Sequence, residues 1–189
     1  MYDSNFTDLK NTLGSIYIVR DPRNVVTSLA HHYGLSLDQA TNVMIDKDRL
    51  MDKTVKNCRV FLGSWGFNYN SWKNLQNQKK YLLIKYEDLI NKKKTILLKI
   101  FKFLDSLGLK SSLDMVKLNK AIKTTEFESM KKKEENETFY EAVIDNSTGK
   151  RKNFFNLGPQ NNWRKLLDKK NVDKIEISFE KEMLELGYL

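Results

Sequence analysis

Two short runs of apolar residues stand out along the chain, and a helical pattern follows each. Ser15–Val19 is rich in β-branched and aromatic side chains without polar alternation, which is typical of a strand buried on both faces. Tyr81–Tyr86 has the same character and predicts a second strand. The polar turn Arg20–Asn24 then predicts a helix start with Asp21 or Asn24 as its cap.

Apolar residues at helical spacing follow both predicted strands. After the first they continue to Tyr33, and Gly34–Gln39 indicates a break and a new helix. A long amphipathic pattern follows the second strand, and a terminal helix is predicted over Asn171–Leu186. Gly149–Asn162, rich in Asn, Lys and Gly, is loop-like. Strand, helices and strand in this order predict an α/β fold.

Two strong strands are few for an independent α/β sheet. A parallel sheet of this size leaves both edges open and gives the helices too little surface to cover. Met1–Gly14 is a polar lead-in without an identifiable strand, and no repeat or linker divides the chain. We therefore expect residues 1–189 to form part of a single domain, with the N-terminal strand or strands missing from this chain.

The composition is that of a globular protein. Of 189 residues, 40% are apolar and 11% aromatic, which excludes the disordered and collagen-like classes. No apolar run approaches the roughly 18 residues of a membrane-spanning helix, so we expect no membrane span. One cysteine, Cys58, excludes an internal disulfide and a multi-cysteine metal site. Because such cysteine usage fits a reducing compartment, we predict a cytoplasmic protein without a metal.

The chain carries an excess of positive charge. It has 33 Lys and Arg residues against 24 Asp and Glu residues, a net charge of +9. The lysine runs 92–94 and 131–133 lie beside acidic residues in helical stretches, which favours a solvated surface. The alternative is an anionic ligand, either a nucleic acid or a small phosphorylated or sulfated molecule. The aromatic residues lie mostly at core spacing rather than among the basic ones, so we expect no nucleic-acid partner.

Arg20 lies where α/β folds bind anions. Ligands of open sheets bind beyond the carboxyl ends of the strands, where helix N-termini present free N–H groups. Arg20 ends the first strand, and Ser28 follows eight residues later, about two helical turns on. A guanidinium fork and a hydroxyl suit one phosphate, but an Arg at such a turn also pairs with a carboxylate such as Asp21. Spacing alone leaves both interpretations open.

A family resemblance favours the phosphate. The segment YIVRDPRNVVTSLAHHY, residues 17–33, resembles the 3′-phosphate-binding segment of sulfotransferases that use 3′-phosphoadenosine 5′-phosphosulfate (PAPS), which implies that Arg20 and Ser28 bind that phosphate. Residues 81–109 are similar to the family's strand ending in Tyr-Glu-Asp and its following helix, which places Tyr86 at the adenine. Residues 124–130 resemble the family's Thr-Ser-Phe-x-x-Met segment, which places Thr125 and Phe127 beside the adenine.

A fourth segment departs from the family pattern. The family's phosphate-wrapping loop reads Arg-Lys-Gly-x-x-Gly-x-Trp, and the corresponding stretch here ends at Trp163. Counting back without a gap places the first glycine on Gly158 and the basic pair on the uncharged Asn156 and Leu157. A gapped alignment uses Arg151 and the lysine after it instead. Either the basic contact lies upstream, at Arg151, or backbone N–H groups near Gly158 hold the phosphate.

The resemblance implies a P-loop-NTPase-like, three-layer α/β fold in which helices flank a parallel sheet. It implies transfer of a sulfuryl group from PAPS to a hydroxyl or amine of a small-molecule or glycan acceptor, leaving adenosine 3′,5′-bisphosphate and using no metal. The family's Gly-rich 5′-phosphosulfate loop and catalytic His have no counterpart in the sequence, and we interpret His31 and His32 as structural. We assign no catalytic residue and expect the C-terminal portion of such an enzyme, acting as a homodimer or with a complementing N-terminal half.

Two alternatives stay open at this stage. Arg20 and Ser28 would serve equally in a non-catalytic protein that binds adenosine 3′,5′-bisphosphate or a polyanion. The aromatic group of residues 65, 67, 69 and 72 suits either a packed helix surface, which we favour, or an apolar acceptor pocket.

We expect the 189 residues alone to bind PAPS weakly and to transfer no sulfate. Sulfuryl transfer needs a base for the acceptor's proton and positive charge at the leaving phosphate. The residues matched by the family resemblance include neither of these groups. The measurement is transfer of radiolabelled sulfate from PAPS to phenols, sugars and amines. PAPS-dependent sulfation by this polypeptide would contradict the expectation.

Overall fold

A computed structural model describes residues 10–51, 58–73, 80–110, 112–136, 143–144, 149 and 151–189, with residues 143, 144 and 151 described by their backbone only. The strands in these ranges are β1 (Ser15–Val19), β2 (Leu50–Met51), β3 (Val60–Phe61), β4 (Tyr81–Lys85), β5 (Val143–Ile144) and β6 (Arg151–Lys152). The helices are α1 (Pro22–Tyr33), α2 (Leu37–Ile45), α3 (Trp65–Lys73), α4 (Tyr86–Asn91), α5 (Lys93–Ser106), α6 (Met115–Thr124), α7 (Phe127–Glu135), α8 (Trp163–Leu166) and α9 (Lys169–Leu186). A 3₁₀ turn covers Gly158–Gln160.

The two predicted strands pair with each other. β1 and β4 form a parallel ladder in which Ser15 lies opposite Tyr81 and Val19 lies opposite Lys85. The β2–β3 and β5–β6 pairs are short and antiparallel. The predicted α/β fold, with a parallel sheet and flanking helices, is therefore confirmed.

The contacts divide the chain into two compact units. The first unit comprises the chain up to Arg20 together with Phe67–Asn119, and the second comprises Asp21–Gly66 together with Lys120–Leu189. The first unit contains the parallel sheet. The second is built on α1, α2 and α9, whose buried core residues are Val26, Ala30, Ala40, Met44, Ile175, Phe179 and Met183. The organisation of residues 1–189 as a single domain stays a prediction.

The burial of β1 differs from the prediction. Ile16 is 38% exposed and Ile18 is 49% exposed, so the expectation of a strand buried on both faces was wrong. Both residues share a sheet face with Leu82 and Ile84, their partners in β4. Ile96 of α5 packs on the β4 pair and buries it. A continuous apolar run does not reveal which of two neighbouring strands a helix will cover.

The opposite sheet face is covered by aromatic residues of α3. The Tyr17 hydroxyl donates to Asn68 Oδ1 at 2.8 Å, and its ring stacks on Trp72 with the centroids 6.3 Å apart. Burial, reinforced by the neighbouring Tyr81, raises the pKa of Tyr17, so the phenol remains protonated. Tyr69 is buried as well. Tyr69 and Trp72 therefore pack as the helix-surface interpretation predicts, whereas Phe67 is 46% exposed.

Local capping fixes the ends of α1. Asp21, one of the two predicted caps, is the N-cap and accepts from the Arg23 N–H at 2.9 Å. Gly34 ends the helix with a φ of 66°, a left-handed conformation that favours glycine. Ser36 and Gln39 then form a capping box that starts α2.

A buried ion network connects α1 to the C-terminal helix. The Arg23 side chain, only 5% exposed as a residue, donates to Asp21 Oδ2 at 2.8 Å and to Glu176 Oε1 at 2.6 Å. It also donates to the Tyr188 carbonyl oxygen at 2.8 Å and stacks on Trp163, 4.1 Å from the ring centroid. Burial disfavours the charged guanidinium, but its bonds to the two carboxylates outweigh that effect and raise the pKa of Arg23.

We expect Arg23→Met to lower the free energy of unfolding by about 3–5 kcal/mol, because it leaves buried carboxylate charge without its partner. Urea denaturation measures the change. Arg164→Met is the matched control, since Arg164 also stacks on Trp163, at 4.5 Å, but is exposed. A loss of equal size in both variants would show that the stacking, and not the ion network, stabilises this unit.

Candidate functional site

The structure brings Arg20 and Tyr86 together in the first unit. The two residues directly follow β1 and β4, whose carboxyl ends lie side by side because the strands are parallel. The guanidinium carbon of Arg20 lies 4.4 Å from the centroid of the Tyr86 ring, a cation–π contact. This end of the sheet therefore presents a cationic fork beside an aromatic ring.

Ser28 lies on the exposed side of α1, in the second unit, next to a buried amide. Its Oγ is 3.2 Å from Nδ2 of Asn161 and 3.5 Å from the Asn24 carbonyl oxygen. Asn161 Nδ2 also donates to that carbonyl oxygen, at 3.0 Å. The side-chain oxygen of Asn24 accepts from the Trp163 N–H at 3.0 Å. These bonds fasten the segment after Gly158 to the first turns of α1.

Gly158 and Phe127, both predicted site residues, are in direct contact. Gly158 has a φ of 50°, and a Cβ placed on it would clash with the Phe127 ring. No larger residue fits there without displacing either the ring or the backbone. The Phe127 ring also meets Phe155 edge-on, with the centroids 5.9 Å apart.

A buried carboxylate on α7 holds the stretch before Gly158. Glu134 is 2% exposed, and its two oxygens accept from the backbone N–H groups of Phe154 and Phe155, the latter at 2.9 Å. His31 Nε2 lies 2.9 Å from the Asn153 carbonyl oxygen, so that ring nitrogen carries the proton and donates. The backbone of this irregular stretch is therefore positioned by side chains from two helices.

The remaining predicted residues have less direct placements. Thr125 is exposed after α6, and its hydroxyl donates to the Ala121 carbonyl oxygen at 2.7 Å. Arg151 begins β6, and its predicted side-chain contact lies outside the described structure. The contacts of His31, and of His32 with the Phe154 ring, agree with structural roles.

Sequence reasoning missed Glu134 and Asn161. A signal for Glu134 exists, since it follows Phe127 by seven residues and Met130 by four and therefore shares their helix face. A carboxylate at such a position indicates a buried partner. Asn161 has no comparable signal, because its partners lie more than 130 residues earlier in the chain.

Residues 7–187 match the family model described as the sulfotransferase domain, and the chain belongs to this family. It is 24% identical over 180 residues to the amine sulfotransferase of Oryctolagus cuniculus, an alignment that covers 93% of this chain and 56% of that protein. The fold is similar to that of mouse sulfotransferase SULT7A1 complexed with PAP, with a TM-score of 0.62 and 24% identity over 90% of this chain and 58% of that one. The chain thus spans little more than half the length of both relatives.

In the part of the chain that the structure describes, none of the helices is long and apolar enough to cross a membrane. Within the same ranges, no group of three or more His, Cys, Asp or Glu side chains is arranged to hold a metal ion.

We expect Glu134→Gln to lower the free energy of unfolding by about 1–3 kcal/mol, because an amide offers one acceptor oxygen where two backbone donors need one each. Thermal and urea denaturation measure the loss. Glu135→Gln is the matched control, since the neighbouring Glu135 is exposed. Equal stability of both variants and the unsubstituted chain would show that the two N–H groups do not depend on the carboxylate.

Proposed function

We propose that the chain is part of a PAPS-dependent sulfotransferase that transfers a sulfuryl group to a hydroxyl or amine acceptor. In this proposal the chain supplies the 3′-phosphate and adenine side of the nucleotide site. The family match over residues 7–187 is the observation that carries it. The names of the two relatives, an amine sulfotransferase and a sulfotransferase complexed with PAP, support an amine among the acceptors and adenosine 3′,5′-bisphosphate as the product.

The chemistry of the candidate residues fits such a nucleotide. A phosphate dianion only accepts hydrogen bonds, and Arg20 and Ser28 offer a guanidinium fork and an exposed hydroxyl. Tyr86 and Phe127 offer aromatic rings for the adenine. We propose Thr125, Arg151 and Gly158 as further contacts by family resemblance. When bound, PAPS supplies the activated sulfuryl group, and these residues hold and orient the nucleotide.

The wider setting belongs to the same proposal. The chain spans 56% of the curated relative and 58% of the solved one. We propose a homodimer partner or a complementing N-terminal half as its protein partner. We propose small molecules or glycans as acceptors. The exposed free thiol of Cys58 supports a reducing compartment, and we propose the cytoplasm.

We expect adenosine 3′,5′-bisphosphate to raise the thermal midpoint of the chain, and Arg20→Ala to abolish that rise, because a bidentate phosphate contact is lost. Differential scanning fluorimetry over a nucleotide titration measures both effects. Arg164→Ala, which removes an exposed arginine elsewhere, should leave the rise intact. An unchanged rise in Arg20→Ala would exclude Arg20 from the site.

Non-catalytic binding of adenosine 3′,5′-bisphosphate or a polyanion is the second candidate. It is favoured by the net charge of +9. A heparin titration in the same assay separates the two ligands. A rise with heparin that Arg20→Ala does not reduce would favour general polyanion binding over the nucleotide.

A further inference from the structure

The Asn161 side-chain amide has its orientation fixed by the chemistry of its neighbours. The Asn24 carbonyl oxygen only accepts, so the Asn161 atom 3.0 Å from it must be the amino nitrogen. That same nitrogen is 3.2 Å from Ser28 Oγ. On the other side of the amide, Oδ1 accepts from the Thr27 hydroxyl at 2.8 Å. The Ser28 oxygen therefore acts as an acceptor toward Asn161.

The Ser28 hydroxyl has one proton to donate while its oxygen accepts from Asn161. Among the residues that the structure describes, its acceptor is the Asn24 carbonyl oxygen at 3.5 Å, beyond the range of about 2.5–3.0 Å usual for hydroxyl donors. That carbonyl oxygen already accepts from Asn161 Nδ2. Since Ser28 is exposed, its O–H is available to a ligand that accepts but does not donate.

Asn161 is itself rigidly held. It is 8% exposed, and both ends of its amide are hydrogen-bonded to α1. Two residues later, the Trp163 N–H is bonded to Asn24 Oδ1. Because both contacts end on the same turns of α1, the amide cannot rotate or withdraw without breaking several bonds.

Asn161 also occupies an informative position in the loop pattern. In the ungapped count from Trp163, the second glycine of Arg-Lys-Gly-x-x-Gly-x-Trp falls on Asn161, and the basic pair falls on Asn156 and Leu157. A glycine could not make these side-chain bonds. In that count, the loop therefore has a polar side chain beside Ser28, that of Asn161, and has no basic pair.

We propose that Asn161 is a positioning residue that fixes the Ser28 hydroxyl as a donor toward a phosphate monoester dianion. This inference rests on the proposed function, because the dianion is the 3′-phosphate of the nucleotide. Asn161 acts through Ser28 and makes no contact with the ligand in this proposal.

The test compares two nucleotides that differ only in that phosphate. Calorimetry or ligand-observed NMR on the full 189-residue chain gives the affinity ratio of adenosine 3′,5′-bisphosphate to adenosine 5′-monophosphate. The variants are Ser28→Ala, Asn161→Ala, Asn161→Asp and the double variant Ser28→Ala/Asn161→Ala. Asn162→Ala is the matched control, since the adjacent Asn162 is exposed and caps only α8.

We expect Ser28→Ala and Asn161→Ala each to reduce the ratio roughly 5- to 20-fold, the effect of one hydrogen bond to a charged group. The double variant should lose no more than Ser28→Ala alone, because Asn161 acts through Ser28. Asn161→Asp is isosteric but cannot donate, so it should lose at least as much. Asn162→Ala should retain the full ratio.

The outcomes separate this inference from the proposed function. If Ser28→Ala lowers the ratio and the folded Asn161 variants keep it, the positioning role is wrong and the nucleotide site stands. Equal weakening of both nucleotides by the Asn161 variants, or losses that add in the double variant, would assign Asn161 a merely structural role. No preference of the unsubstituted chain for adenosine 3′,5′-bisphosphate would overturn both. Circular dichroism confirms folding, and Asn161→Asp replaces Asn161→Ala if the latter does not fold.

Discussion

The second unit depends on one buried cation, the guanidinium of Arg23. Its bonds to Asp21, Glu176 and the Tyr188 carbonyl, together with its stacking on Trp163, bring the start of α1, the start of α8, the middle of α9 and the residues after α9 to one place. A buried ion network gains little net stability, because desolvation offsets the Coulomb energy. The network instead fixes the positions of these elements, because burying the guanidinium without its acceptors would be costly.

That constraint reaches the candidate site through α1. Arg23 holds both the start of α1 and Trp163. The Asn24 side chain accepts from the Trp163 backbone N–H, and the Asn161 amide donates to Ser28. The stretch 153–163 contains little regular structure apart from its 3₁₀ turn and the start of α8. Irregular backbone must still satisfy its polar groups, and Glu134, His31 and Asn24 do so from neighbouring helices. Side chains from neighbouring helices therefore determine much of its path.

The sequence predicted the parts of this arrangement that depend on local chemistry. The strands at 15–19 and 81–85, the cap at Asp21 and the break at Gly34 follow from patterns within a few residues. The exposure of Ile16 and Ile18 does not follow from such local patterns, because it depends on which strand α5 covers. Sequence reasoning also missed Glu134 and Asn161, because their partners are backbone groups or helix residues that only the tertiary fold brings near. Family resemblance predicted Ser28 but carried no information on the amide beside it.

Gly158 shows how a matching residue can have more than one physical cause. The family pattern connects this glycine with a loop that wraps phosphate, yet in this structure a Cβ at that position would clash with the Phe127 ring. Packing is thus sufficient to require glycine, with its φ of 50° adding to the requirement. A residue that packing explains completely cannot also serve as evidence for a ligand. Packing does not explain the exposed hydroxyl of Ser28, which accepts from a buried amide and lies 3.5 Å from the Asn24 carbonyl oxygen, so Ser28 bears more directly on the proposed nucleotide site than Gly158 does.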